Sequence, residues 1–252
     1  MEYDYIECGD CLELMKEIPD GSVDLVLTDP PYGKTDCKWD NVIPFEPMWE
    51  QLNRIIKPNG AIVLFGSEPF SSALRMSNIK NYKYDLVWDK VNRYTGTLLA
   101  GKRPLLRHEN IMVFYKKQPT YNKQYRNGKA YKMTHNTLGV GEYATNKITR
   151  KTTFNDGKHN PCSIIQIKGI SPDTGRNSVH PTQKPIELME YLIKTYTNED
   201  ETVLDFTMGS GSTCVACVNT NRHYIGFELD PQYYDIACKR LDEAEGVENG
   251  TV

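Results

Sequence analysis

Val203-Leu-Asp-Phe-Thr-Met-Gly-Ser-Gly-Ser-Thr213 is the stretch on which the reading of the chain turns. The short apolar run Thr202 to Phe206 predicts a buried strand, with Asp205 and Phe206 at its carboxyl end. Gly209 and Gly211 let the backbone turn sharply into a helix predicted over Ser212 to Asn219, whose first turn presents unpaired N–H groups. The spacing is neither G-x-G-x-x-G nor the G-K-[ST] of a phosphate loop. A ligand at the glycine turn fits these residues, and so does a tight strand–helix turn without one. The following strand, Tyr224 to Glu228, ends in an acid placed to bond both hydroxyls of a ribose.

A second strand tip lies far upstream. Val23 to Thr28 predicts a buried strand that runs into Asp29-Pro-Pro-Tyr-Gly33. Proline cannot continue a central strand, so the chain leaves the sheet there. The prolines hold the Asp29 carboxylate, the Pro30 carbonyl and the Tyr32 ring in place. Two acceptors beside an aromatic plane suit a planar ring bearing an amino group, and a plain proline turn fits the same tetrapeptide. Further strands are predicted over Tyr5 to Cys8, Ala61 to Phe65, Tyr84 to Trp88, Asn110 to Tyr115 and Ser163 to Ile167. Helices are predicted over Cys11 to Ile18 with Asp10 as cap, Pro47 to Ile56 stopped by Lys57-Pro-Asn-Gly60, Phe70 to Ile79, Pro185 to Tyr196, and from Pro231. This alternation implies an α/β fold with a mostly parallel sheet covered on both faces.

The 252 residues are 39% hydrophobic and 25% charged, which excludes a disordered or collagen-like chain. No run of about 18 apolar residues offers a membrane span. The acidic start lacks the features of a secretory signal, and seven cysteines, an odd number, point to a reducing cytoplasm. The net charge of −3 conceals a sharp asymmetry: Lys90 to Asn160 holds 15 lysines and arginines against three acids, Glu109, Glu142 and Asp156. Aromatics such as Tyr94, Tyr121, Tyr125, Tyr131 and Phe154 are interleaved with them. A phosphate backbone with unstacked bases would match that composition, as would a solvated basic face. From Lys116 to about Asn160 the periodicity dissolves, predicting a functional insert or a loop that is mobile without its partner. The pairs Cys8/Cys11 and Cys214/Cys217 have formal metal spacing, but the second sits in a predicted sheet-packed helix, so no metal is expected.

Taken together, Asp-Pro-Pro-Tyr-Gly at one tip and Asp-Phe-x-x-Gly-Ser-Gly-Ser-Thr at the other resemble the amino-group DNA methyltransferases, specific for adenine-N6 or cytosine-N4, that use S-adenosylmethionine. The order is similar to their permuted beta class, in which the catalytic half precedes the cofactor half. Gly9-Asp10-Cys-Leu-Glu-Leu14 resembles that class's opening segment, Arg107-His-Glu-Asn-Ile-Met-Val-Phe-Tyr-Lys116 its last catalytic-half segment, and His180-Pro-Thr-Gln-Lys-Pro185 its cofactor-carboxylate segment.

The resemblance implies a Rossmann-like, doubly wound and circularly permuted methyltransferase fold. Residues 1–116 would be the catalytic half, 117–162 an inserted target-recognition region and 163–252 the cofactor half. It implies that Asp29 and the Pro30 carbonyl hold the target amino group, with Pro31 stiffening the loop and Tyr32 stacking on a flipped base. Asp10, Asp205, Phe206, Gly209, Gly211, Ser212 and Thr213 would surround the cofactor, Glu228 its ribose, and Lys184 with Thr182 its carboxylate. Thr207-Met208 departs from the family pattern and implies altered packing. The expected activity is transfer of a methyl group to adenine N6 in double-stranded DNA, leaving S-adenosylhomocysteine. Asp at position 29, where cytosine-N4 relatives tend to carry Ser, favours adenine over cytosine-N4 transfer. A catalytically inactive DNA-binding protein on the same fold is the alternative from another class. No membrane partner is expected, and a homodimer is, because the family commonly dimerises.

Overall fold

The computed structural model describes residues 3–33, 41–137, 149–170 and 183–246. Its elements run β1 (Tyr5–Cys8), α1 (Cys11–Leu14), β2 (Val23–Thr28), α2 (Phe45–Ile55), β3 (Ile56–Gly66), α3 (Phe70–Ser77), β4 (Tyr82–Asp89) and β5 (His108–Phe114). Four strands follow: β6 (Arg126–Asn127), β7 (Tyr131–Thr137), β8 (Thr149–Asn155) and β9 (Lys158–His159). The chain continues with β10 (Ile164–Gln166), α4 (Ile186–Tyr196), β11 (Thr202–Asp205), α5 (Ser212–Asn219), β12 (His223–Glu228) and α6 (Pro231–Glu245). Two compact units result, one of Met1–Asn122 with Ser163–Val252 and one of Lys123–Cys162.

The larger unit is built on an eight-stranded sheet in the order β1-β12-β11-β2-β3-β5-β4-β10. Every neighbouring pair is parallel except those made by β5, which runs antiparallel between β3 and β4. The fold is therefore the α/β, mainly parallel architecture that the alternation implied. β2 reads Val-Asp-Leu-Val-Leu-Thr and is buried along its whole length, as a strand covered on both faces must be. Leu25 and Leu27 pack on one face with residues of α4, α5 and α6. Val23 and Val26 pack on the other with residues of α1, α2 and α3. Burying each such leucine stabilises by about 1.5–3 kcal/mol.

This layering places the site. From β11 the strand order proceeds one way, through β12 to β1, and from β2 the other way, through β3. The two strands pair side by side, Val203 opposite Leu25 and Leu204 opposite Val26. The helices after them cover opposite faces, so a crevice opens beyond their carboxyl ends.

Three predicted elements differ from the structure. The helix expected over Cys11 to Ile18 is α-helical only to Leu14 and tightens into a 3₁₀ turn at Met15–Glu17. Pro19 disfavours helical backbone at Ile18, which is extended (φ −73°, ψ 128°). Lys57-Pro-Asn-Gly60 does not separate helix from strand. Ile56 already pairs with Val23, the ladder resumes at Ala61 opposite Leu25, and the tetrapeptide sits at this irregularity, where proline removes no ladder bond.

The third difference is the stretch expected to lack structure. Lys123–Cys162 contains a ribbon in which β7 and β8 pair antiparallel from Tyr131–Asn155 to Thr137–Thr149, and a second short pair, β6 with β9. The compact unit begins after Asn122, whose backbone and side chain bond Thr195 and Thr197 of the larger unit.

Trp49, Trp88, Cys214 and Cys217 are core residues, while Trp39 lies outside the described residues. No described helix is long and apolar enough to cross a membrane.

Candidate active site

The tips of β2 and β11 are joined by hydroxyls. Thr28, the last residue of β2, donates to Asp205 Oδ1 at 2.5 Å and accepts from the Phe206 N–H at 3.0 Å. Thr207 donates to the Asp29 carbonyl at 3.2 Å, so a residue that departs from the family pattern ties one tip to the other. Thr213, at the start of α5, donates to Asp205 Oδ2 at 2.5 Å. Even so, burial pushes the Asp205 carboxyl up to about 6; the hydroxyls and the Thr207 N–H oppose the rise, and the charge of Asp29 adds to it.

Both tips line one cavity of about 340 Å³. Of the described residues that the sequence assigned to the catalytic and cofactor sites, all line it except Gly211: Asp10, Asp29, Pro30, Pro31, Tyr32, Lys184, Asp205, Phe206, Gly209, Ser212, Thr213 and Glu228. Thr182 and His180 lie outside the described residues. Gly211 has φ +75°, and a Cβ there would meet the Ala237 Cβ at 3.0 Å, so its missing side chain serves the turn and the approach of α6. Gly209 (φ +55°) faces the cavity and donates its N–H to Glu228 Oε2 at 2.8 Å, while the Asp230 N–H reaches Oε1 at 2.8 Å. Burial nevertheless raises the Glu228 carboxyl above its ordinary value, against those two donors. Asp10 caps α1 through the Leu12 N–H at 2.8 Å. The lining carries four carboxylates, Asp10, Asp29, Asp205 and Glu228, against one ammonium, Lys184. Such a cavity favours a cationic ligand with hydroxyls, and a sulfonium nucleoside fits that description.

Asp29 is the end of a largely buried chain of charges. Its Oδ1 accepts from the Tyr32 hydroxyl and its Oδ2 from Lys184 Nζ. Lys184 also lies 3.3 Å from Glu109 Oε2, and Lys90 Nζ donates to Glu109 Oε1. Burial raises the Asp29 carboxyl, and the Glu109 charge adds to this, while Lys184 and the Tyr32 hydroxyl pull the other way. Burial works against the charge on Lys184, but Asp29 and Glu109 overcome it and hold the ammonium above its usual range. Glu109 is held low, because Lys184 and Lys90 outweigh its burial. The Tyr32 ring leans on Phe70, with centroids 5.1 Å apart.

The sequence reading assigned no role to Glu109 or Lys90. One signal was available: Glu109 is one of three acids in the most basic part of the chain, and it is the second residue of β5. Among the described residues no three His, Cys, Asp or Glu are grouped to hold a metal.

Comparison with known proteins agrees with this geometry. A DNA methylase family model matches residues 23–239. The chain is 27% identical to the type II methyltransferase M.HpaI of Haemophilus parainfluenzae, over 93% of this chain and 73% of that protein. It is 28% identical to the type II methyltransferase M.BglII of Bacillus subtilis, over 92% and 67% respectively. Among solved structures, the complex of M1.HpyAVI with SAM superposes with a TM-score of 0.61 and 26% identity, covering 93% of this chain and 98% of that one. The PvuII cytosine-N4-specific DNA methyltransferase shares the fold, with a TM-score of 0.67 at 18% identity, over 100% of this chain and 89% of that one. With a family match running from the first residue of β2 into α6 and both strand tips opening on one cavity, the chain belongs to the N6/N4 DNA methylase family.

Proposed function

We propose that this S-adenosylmethionine-dependent DNA methyltransferase acts on the N6 amino group of adenine. The observation that carries the reading is the common cavity of the Asp29–Tyr32 loop and the Asp205–Gly209 turn. S-adenosylmethionine supplies an electrophilic methyl group on a positive sulfur. The chain's part is to present an amine to it. An adenine amino nitrogen has its lone pair drawn into the ring, so it attacks poorly until acceptors take its hydrogens. Asp29 and the Pro30 carbonyl provide two acceptors on a loop stiffened by Pro31, and alignment with fixed electrostatics supplies most of the acceleration. Ionised Asp29 accepts only, and once the methyl group has transferred, the nitrogen's surplus proton has a carboxylate beside it.

We assign the cofactor to Asp205, Phe206, Gly209, Ser212, Thr213 and Glu228, with Asp10 and Thr182 at its periphery. In this reading Lys184 supports Asp29 and does not hold the cofactor carboxylate, because two largely buried carboxylates already claim its ammonium. Residues 117–162 are assigned to target recognition. The ribbon there exposes Tyr131, Met133 and Phe154, with Lys132 Nζ 5.1 Å from the Phe154 ring centroid, a combination suited to phosphates and bases.

The test is to treat unmodified genomic DNA with the protein and labelled cofactor, digest it, and identify the nucleosides by mass spectrometry. N6-methyladenine is the expected product. N4-methylcytosine in its place would overturn the adenine assignment, and no methylation at all would leave an inactive DNA-binding protein.

Asp205 makes cofactor binding depend on pH. A cationic ligand prefers the ionised carboxylate, which is present above about 6 and lost as pH falls. Calorimetry is expected to find affinity about tenfold weaker one unit below that value than at neutrality, since each unit below the pKa costs about a factor of ten. Asp205→Asn is expected to flatten the dependence. A slope surviving in that variant would transfer the titration to Glu228.

A further inference from the structure

The parallel strands deliver more than the two catalytic tips to their carboxyl edge. β4 runs parallel to β2 and β3, each of β4 and β3 pairing antiparallel with β5, so the segment between Asp89 and His108 leaves the sheet on the side of Asp29. Its first residue, Lys90, bonds Glu109, which reaches Lys184 and through it Asp29. The segment is therefore linked to the proposed amine acceptor through three successive ion pairs.

The segment's tip is apolar and defined. Thr95 and Leu106 close it with paired backbone bonds of 2.7 and 3.1 Å, and Thr97–Leu99 forms a 3₁₀ turn. The N–H groups of Leu99, Lys102 and Arg103 bond within that turn at 2.9, 2.9 and 3.0 Å. At its crest Leu98 is 99% exposed and Leu99 37%, beside Tyr94 at 52%. A single exposed leucine needs no explanation. This one stands on a hydrogen-bonded platform, in a segment from Val91 to Arg107 without an acid, where Arg107 pairs with Asp89 at the base and Arg93, Lys102 and Arg103 flank the tip in sequence. A duplex has the matching chemistry: phosphates outside, and an apolar gap inside wherever a base has left the stack.

We propose that Leu98 is a wedge that enters the DNA duplex where the target base leaves it, with the surrounding basic residues held against the phosphates. The inference rests on the reading of the protein as a DNA methyltransferase and adds a positioning residue to it. Extruding a base costs stacking and pairing, and an apolar side chain filling the vacated space recovers part of that cost. Leu98 touches neither cofactor nor methyl group, so its effect depends on how hard the base is to extrude.

The experiment compares wild type, Leu98→Ala and Leu98→Met, as full-length chains, on two duplexes carrying the recognition sequence, read beforehand by sequencing DNA that the wild type has methylated. In one duplex the target base faces its normal partner; in the other it faces an abasic site, which makes extrusion easy. Leu98→Ala is expected to lower kcat/KM about 10- to 100-fold on the normal duplex and less than about threefold on the abasic one, with cofactor affinity unchanged. Leu98→Met, which keeps a long apolar chain, is expected to restore most of the rate. Equal losses on both duplexes would overturn the wedge. Equal losses with a change of oligomeric state by light scattering would assign the tip to a contact between copies, and would overturn it too. A wild type that methylates no DNA would instead bring down the reading beneath it, and the wedge with it.

Discussion

Asp29→Ala is expected to slow methyl transfer by about 10³-fold or more while changing the affinity for S-adenosylmethionine less than about threefold. The split follows from where the carboxylate points. Asp29 bonds Tyr32 and Lys184, whereas Asp205 accepts from Thr28 and Thr213, and Glu228 from the Gly209 and Asp230 N–H groups. Single-turnover rates with tritiated cofactor measure the first quantity and calorimetry the second. An equal fall in both would move Asp29 into the cofactor subsite. Alanine also leaves Lys90 and Lys184 facing only Glu109, an uncompensated buried charge that costs about 3–5 kcal/mol, so the variant's fold must be checked by circular dichroism. Asp29→Asn keeps the volume without rescuing the rate. Lys184 requires an acceptor and will hold the amide oxygen, turning the amide NH₂ to the Tyr32 side. A donor then stands where an acceptor stood.

What could be read in the residues, and what could not, divides along physical lines. Both strand tips were legible because each joins two strong local signals: an apolar strand, then residues that cannot extend it. Pro30 and Pro31 end β2, and Gly209 and Gly211 turn the chain after β11. Their meeting was legible only through the family resemblance, since the Val203–Leu25 pairing joins residues remote in sequence. The ribbon of β7 and β8 escaped notice for the opposite reason. Tyr131-Lys-Met-Thr134 is exposed on both faces, so no apolar alternation betrays a strand. At Lys57-Pro-Asn-Gly60 a strong stop signal was present but its consequence was different, because the partner strand β2 tolerates an irregularity. The charge chain was the least legible feature. Lys90, Glu109 and Lys184 look like surface residues by type; folding buries them together, and Lys184 meets Asp29 across 155 positions. Only tertiary packing turns a lysine that the family pattern would give to a cofactor carboxylate into a partner of the catalytic acid.

Lys184→Met separates those two roles and should have an effect nearly as large. If the ammonium serves Asp29, its loss leaves Glu109 paired with Lys90 alone and Asp29 with the Tyr32 hydroxyl but no cation that pairs with it among the described residues. Breaking such a network from one side costs about 3–5 kcal/mol, to be read from urea denaturation. Part of that cost is expected to return in Lys184→Met/Glu109→Gln, which removes the second carboxylate as well. The activity has its own signature. Burial and the Glu109 charge already raise the Asp29 carboxyl, and Lys184 is the main force opposing them. Without it the carboxyl rises further, so the ionised form that can accept from an amine appears only at higher pH. The acid limb of the kcat profile should therefore move to the alkaline side, and raising the pH should recover rate, while cofactor affinity stays within about threefold of wild type. In the double variant the limb should move back, because the charge that helped to raise Asp29 has gone. If Lys184 instead held the cofactor carboxylate, the result would invert: affinity would fall by about tenfold or more, the loss of one charge-assisted bond, and the acid limb would stay where it was.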